Sequence, residues 1–213
     1  MLINALLIPK VKLTFATTEF NLGTALQLME DNSVRSLPIL DTSETLYRGN
    51  LYRYHIYQHL VNGGSLNDSV MLLIKNATKY VYQTDSFYTL FFTLKDLPYI
   101  SVLDDKHHFL GIVRHTDVMN MLSESWRVTQ ASFALAIEIP EDDTSFLEVV
   151  KIVKKFTEIT GLQTFDKDHY TQSRRLVITL PDKIEPDVFD KLNAKLNKRH
   201  FNIIEVEDLH DGI

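Results

Sequence analysis

The residues of this chain best suited to chemistry gather in two short stretches. In "GIVRHTD", Gly111 to Asp117, an apolar run gives way to Arg114, His115 and Asp117. A guanidinium can hold a phosphate through two parallel hydrogen bonds, an imidazole can stack or donate, and a carboxylate can accept from ribose hydroxyls. Each also has a plain structural use: Arg114 can pair with a surface carboxylate, His115 can sit partly buried, and Asp117 can cap the "VMNML" helix that follows. The second stretch is "RSLP", Arg35 to Pro38, expected as a helix-to-strand corner. There the backbone of Arg35 and Ser36 stays available, Leu37 can contact a base, and Pro38 fixes the chain direction. Lys10 and Lys12 can complete a phosphate site or form a solvated flank.

Catalytic and metal-binding patterns are weaker. His107 and His108 stand beside Asp104 and Asp105, a grouping that reads equally well as a polar turn. The sequence has no Gly-rich phosphate loop, no nucleophile elbow and no HExxH zinc motif. It has no cysteine, so disulfides and thiolate chemistry are excluded. The expectation is a protein without catalytic residues, metal or resident cofactor, with an enzyme assembled from distant residues as the contrasting class.

Composition sets the outer bounds. The 213 residues suffice for one large or two small domains, and 45% hydrophobic with 23% charged residues is the balance of a folded chain. Acidic residues outnumber basic ones, 28 to 22, for a net charge of -6. That disfavours non-specific binding to DNA or RNA while permitting a local basic pocket. The apolar run from Met1 to Ile8 is too short to span a membrane and lacks a preceding basic region, so a cytoplasmic location is expected.

The elements that would carry these residues repeat. Leu22, Ala25, Leu26 and Met29 share one helical face ahead of a strand at Ser36 to Asp41. Phe87, Leu90, Phe91 and Leu94 do the same ahead of Tyr99 to Leu103. Gly49 and Gly111 lie 62 residues apart, and Leu60 and Leu122 keep that spacing. The pattern is a βαββα repeat of about 60 residues, and one copy alone would leave a sheet face uncovered. "NGGSLND", Asn62 to Asp68, reads as the connection.

Beyond Ser132 the order becomes βαββαβ: "SFALAIEI", a helix from Ser145 to Glu158 capped by Thr144, "GLQTF", "RRLVITL", "PDVFDKLNAKLNKR" and "FNIIEVEDL". Trp126, in "SESWRVTQ", is expected either at the joint between the two parts or in a local core position. The fold class is α+β, divided into 1-64, 65-126 and 127-213.

The stretches "TALQLMEDNSVRSLPILD" and "ISVLDDKHHFLGIVRHTDVMNML" resemble the two halves of a cystathionine-β-synthase-type (CBS) domain pair, over about the first 125 residues. The family pattern places a small or hydroxylated residue three after the glycine and an aspartate six after it. Here those positions hold Tyr52 and His55 in the first copy, Arg114 and Asp117 in the second. The aspartate is kept only at Asp117, and the hydroxyl at neither.

The resemblance implies nucleotide sites crossed between the copies. One would join Lys12, Thr14 and Arg35 to Pro38 with Arg114, His115 and Asp117. The reciprocal one would use His55, where Tyr52 and Tyr54 can instead pack or hold a non-ribosyl group. The third part is similar to an ACT-type regulatory domain of ferredoxin-like fold. Together the parts resemble bacterial receptors that bind cyclic di-AMP, which implies a regulatory homodimer, an adenine or cyclic dinucleotide ligand and an effector protein. AMP or ATP sensing, a ligand-independent adapter and an enzyme are the alternatives.

Overall fold

The computed structural model describes residues 2–126, 131–140, 143–166 and 174–209. The chain divides into two compact units, Met1–Met119 and Asn120–Ile213. No described helix is long and apolar enough to cross a membrane.

The first unit holds the repeat. Helix α1 (Leu2–Leu6), strand β1 (Ile8–Pro9) and a 3-10 turn (Lys10–Lys12) lead into β2 (Ala16–Thr17), α2 (Leu22–Asp31), β3 (Ser36–Leu40), β4 (Tyr47–Tyr52) and α3 (Arg53–Val61). The second copy runs β5 (Tyr80–Tyr82), α4 (Phe87–Leu94), β6 (Tyr99–Leu103), β7 (Phe109–Arg114) and α5 (His115–Trp126). In each copy the first strand pairs in parallel with the second, and the second and third are antiparallel.

The helices begin where their caps are. Asn21 accepts from the Thr24 amide at 2.8 Å, and Ser86 accepts from the Thr89 amide at 3.1 Å. The Leu22 and Gly23 amides donate to the carbonyls of Asp68 and Leu66, both at 2.8 Å. The expected connection therefore also closes the start of α2, satisfying donors that have no partner inside the helix.

Each copy reaches across to the other, the first with a strand and the second with a single bridging residue. β1 crosses to pair with β7, Ile8 opposite Ile112 and Pro9 opposite Gly111, while Lys75 bridges to Asn50 of β4. The repeated glycines make room for these crossings. Gly49 has φ +143 and Gly111 φ +154, and a Cβ on Gly111 would lie 2.0 Å from the Ile8 carbonyl oxygen. The two sheets meet face to face through Leu40, Tyr47, Tyr99, Leu103, Phe109 and Ile112. Leu22, Ala25, Met29, Leu37, Ile39 and Leu51 fill the first copy's own core.

The expected corner at Arg35 to Pro38 is largely strand. Leu37 is 0% exposed inside the first core, and Pro38 is buried opposite Asn50 within β3. Proline is tolerated there because Asn50 uses its own N–H and C=O on Lys75, at 2.8 and 2.9 Å, so no ladder bond towards β4 is missing.

The second unit contains β8 (Ala131–Ile139), α6 (Asp143–Val153), β9 (Gly161–Phe165), β10 (Arg174–Pro181), α7 (Pro186–Lys198) and β11 (Asn202–Asp208). Its antiparallel sheet has the order β11-β8-β10-β9, the ferredoxin-like βαββαβ arrangement. Leu135, Ile137, Val149, Leu176, Ile178, Leu192 and Leu196 form the core between sheet and helices.

Helix α6 differs from expectation at both ends. It begins at Asp143, which puts Thr144 inside its first turn, and it ends at Val153 rather than Glu158. The Lys155 and Phe156 amides donate three residues back, to Ile152 and Val153, which tightens and closes the last turn. The Trp126 carbonyl lies against Gly161, where a Cβ would approach it to 2.6 Å, and accepts from the Thr179 hydroxyl at 3.3 Å.

Candidate ligand site between the repeats

The two strand-to-helix junctions are built alike. The Arg53 amide, opening α3, donates to the Arg35 carbonyl at 3.0 Å, and the His115 amide, opening α5, donates to the Pro98 carbonyl at 3.0 Å. Arg35 and Pro98 are thus equivalent points of the two copies, each tied to the start of its own copy's second helix. Both residues line one cavity of about 470 Å³, together with Ser36, Tyr52, Arg53, Tyr54 and Tyr57. That volume lies within the range of small-molecule sites.

Two cations and three phenol rings give the cavity its chemistry. Neither Arg35 nor Arg53 has an ion-pair partner among the described residues. Tyr54 is 68% exposed and offers a ring face, while the Tyr57 hydroxyl donates to Glu30 at 3.2 Å. The Tyr52 hydroxyl accepts from the Asn76 side-chain amide at 2.8 Å, which fixes its ring. His55 stands at the position expected for a ribose-binding carboxylate. Its ring meets Tyr52 and Tyr54 edge-on, with centroids 5.8 and 5.4 Å away. Aromatic faces beside unpaired guanidinium groups suit a flat, anionic ligand.

A polar seam continues from the cavity between the sheets. The Tyr47 hydroxyl donates to the Asn76 carbonyl at 3.2 Å, and the Tyr99 hydroxyl donates to Asn50 Oδ1 at 3.1 Å. Burial pushes the hydroxyl pKa of both tyrosines well above the usual phenol range, so they act as neutral donors.

The other expected residues are placed as follows. Arg114, at the end of β7, grips Asp117 with two bonds, Nε to Oδ2 at 2.8 Å and Nη2 to Oδ1 at 2.7 Å. The hydrogen bonds that Arg114 donates to the Asp117 carboxylate raise the Arg114 pKa above its ordinary value. The alternative of a local carboxylate partner for Arg114 is therefore the arrangement present. His115 is the first residue of α5 and is partly buried. Lys12 is exposed on a 3-10 turn that packs on β7, and Thr14 is half-buried between that turn and β2. The nine residues do not converge on one cavity: Arg35 and Ser36 line the one described above, Leu37 and Pro38 are interior, and Arg114 and Asp117 hold each other.

Sequence reasoning missed Arg53, Tyr57 and Pro98. A signal for the first two existed in "YRYHIY", where Tyr54 and Tyr57 share a helical face three residues apart beside Arg53. Pro98 gave none, because its role comes from the opposite repeat. Among the described residues no cluster of three metal-ligating side chains occurs. His108 instead pairs with Asp104 at 2.9 Å, within the polar turn.

No protein-family model matches the chain, and no curated protein matches it. Solved structures do. A crystal structure of CbpB in complex with c-di-AMP is 14% identical, with a TM-score of 0.51 over 57% of this chain and 83% of that one. A CBS domain protein from Streptococcus pneumoniae is 15% identical, with a TM-score of 0.52 over 57% and 86%. A hypothetical conserved protein from Geobacillus kaustophilus is 20% identical, with a TM-score of 0.53 over 57% and 96%. At these identities the likeness is one of fold, and the fold of the repeat-bearing part is that of a CBS-domain pair, as its sequence suggested.

Proposed function

We propose that this protein is a non-catalytic receptor that binds cyclic di-AMP between its CBS repeats and thereby changes how its domains or partners associate. The observation that carries this reading is the cavity in which unpaired Arg35 and Arg53 stand beside Tyr52, Tyr54 and Tyr57. The related fold in CbpB, with c-di-AMP bound, supports it. Adenines stack on tyrosine faces, a contact worth about 1–3 kcal/mol per base in nucleic-acid complexes. Each phosphodiester carries one negative charge, which a guanidinium meets with charge-assisted hydrogen bonds.

The choice of a cyclic dinucleotide follows from the carboxylates. Free AMP or ATP presents a 2′,3′-diol that a free aspartate would receive. His55 replaces that aspartate in one copy, and Arg114 occupies both oxygens of Asp117 in the other. A 3′,5′-cyclic dinucleotide has no such diol. A second ligand position would use Lys12, Thr14, His115 and a phosphate drawn to Arg114, with Asp117 released, while Arg35 and Ser36 serve the cavity above and the buried Leu37 and Pro38 contact no ligand. In this reading 1-64 and 65-126 are the two CBS repeats, and 127-213 is an ACT-type domain that passes the signal on. The receptor is a cytoplasmic homodimer that acts on an effector protein.

Calorimetry against AMP, ATP, cyclic di-AMP and cyclic di-GMP tests the proposal. Cyclic di-AMP is expected to bind preferentially. Arg35→Ala with Arg53→Ala is expected to weaken it at least 100-fold, since a bond to a charged group contributes about 1.5–3 kcal/mol. Binding retained in that double variant would reject the cavity, and turnover of any of the four nucleotides would reject a non-catalytic role.

A further inference from the structure

The sheet of the second unit has one face covered by helices and one open. Leu135, Ile137, Leu176 and Ile178 belong to the core beneath the helices. The alternate residues of β8 and β10, Ala136, Glu138, Arg175 and Val177, therefore form the opposite face. That face is hollow. Ala136, Phe165, Arg175, Val177 and Glu205 line a concavity of about 420 Å³, and Phe165 is 49% exposed there. At one end the Trp126 carbonyl accepts from the Thr179 hydroxyl, so the open part of the face runs from Val177 and Ala136 to Arg175 and Glu138.

We infer, resting on the homodimer reading above, that this face packs against the same face of a second copy, about a two-fold axis that runs along the strands between β8 and β10.

The charges of the face call for such an occupant. Arg175 Nε is buried without a hydrogen-bond partner. Arg175 and Glu138 stand directly opposite one another, yet neither forms an ion pair among the described residues. A buried donor left without an acceptor costs about 1–3 kcal/mol, and a carboxylate arriving from above the sheet removes that cost.

The strand register selects the axis. Rotation about it lays β10 on the partner's β8 and keeps each residue at its own level along the strands. Arg175 then meets the partner's Glu138, and Val177 meets the partner's Ala136. The four charges alternate at the corners of a square, so every neighbouring pair attracts. At the flanks β9 lies on the partner's β11, which brings the Gln163 amide to the partner's Glu205. Alanine and valine at the centre suit the spacing of about 10 Å between stacked sheets. An axis across the strands would instead lay β10 on the partner's β10, where Arg175 meets no acid.

Sedimentation velocity on the full chain, with circular dichroism to verify folding, tests this surface. The parent is expected to dimerise. Arg175→Glu and Glu138→Arg should each weaken the dimer by about tenfold or more, because four like charges then meet. Mixing the two variants should restore association. Each copy still carries like charges side by side, so only pairing between copies recovers the affinity, and pairing within one sheet would give no recovery. A parent dimer that survives either substitution, or a mixture that stays monomeric, would overturn this surface and leave the homodimer reading standing. A monomeric parent would overturn both.

Discussion

Replacing Gly111 by alanine should loosen the strand exchange on which the inter-repeat seam depends. The residue has φ +154, a conformation that a side-chain-bearing residue adopts at about 1–3 kcal/mol. The new Cβ would also lie 2.0 Å from the Ile8 carbonyl oxygen and 3.0 Å from Pro9 Cα, both backbone atoms of the crossing strand. β1 is only two residues long and has to lift from β7 to relieve the clash, losing bonds of about 0.5–1.5 kcal/mol each. The expected destabilisation is about 3–5 kcal/mol.

Gly63 supplies the control. It has φ +86 but nothing within 4 Å of its would-be Cβ, so Gly63→Ala should lose only about 1–2 kcal/mol. Gly49→Ala should fall between them, because its nearest obstacle, at 2.2 Å, is the movable Ile74 side chain, with the Lys75 carbonyl at 2.9 Å. Urea unfolding followed by circular dichroism would rank the three, and hydrogen exchange at Ile8 and Ile112 would localise the effect. Gly111→Ala no more destabilising than Gly63→Ala, with those amides still protected, would refute the reasoning.

Two further outcomes follow from the same geometry. Asp117→Asn should change stability by less than about 1 kcal/mol, because the pair is largely exposed on the Arg114 side, yet it frees that guanidinium. Cyclic di-AMP affinity should hold or rise in calorimetry; a loss would mean that Asp117 itself contacts the ligand. Asp41 is held below its usual pKa by the Leu46 amide and the Ser43 hydroxyl. A depressed carboxylate contributes stability that is present above about pH 4 and lost as pH falls through the folded-state value. Thermal melts from pH 5 to pH 2 should therefore show a shallower acid loss for Asp41→Asn than for the parent, and parallel curves would exclude this contribution.

The amino-acid sequence by itself determined the repeat, the helical faces and the order of elements in both parts. Residues such as Leu22, Ala25 and Met29 encode burial through local spacing, and Gly49 and Gly111 mark positions where backbone freedom is required. The CBS-pair fold was legible from those signals. Only the tertiary structure decided which side chains meet. Leu37 and Pro38 look like a ligand corner in sequence but are interior, because the strand continues through them. Arg114 and Asp117 satisfy each other, whereas Arg35 and Arg53 share a cavity with Pro98 from the other repeat. Periodicity records which face of an element is apolar, whereas the meeting of Pro98 with Tyr52 depends on how two sheets pack across distant chain segments.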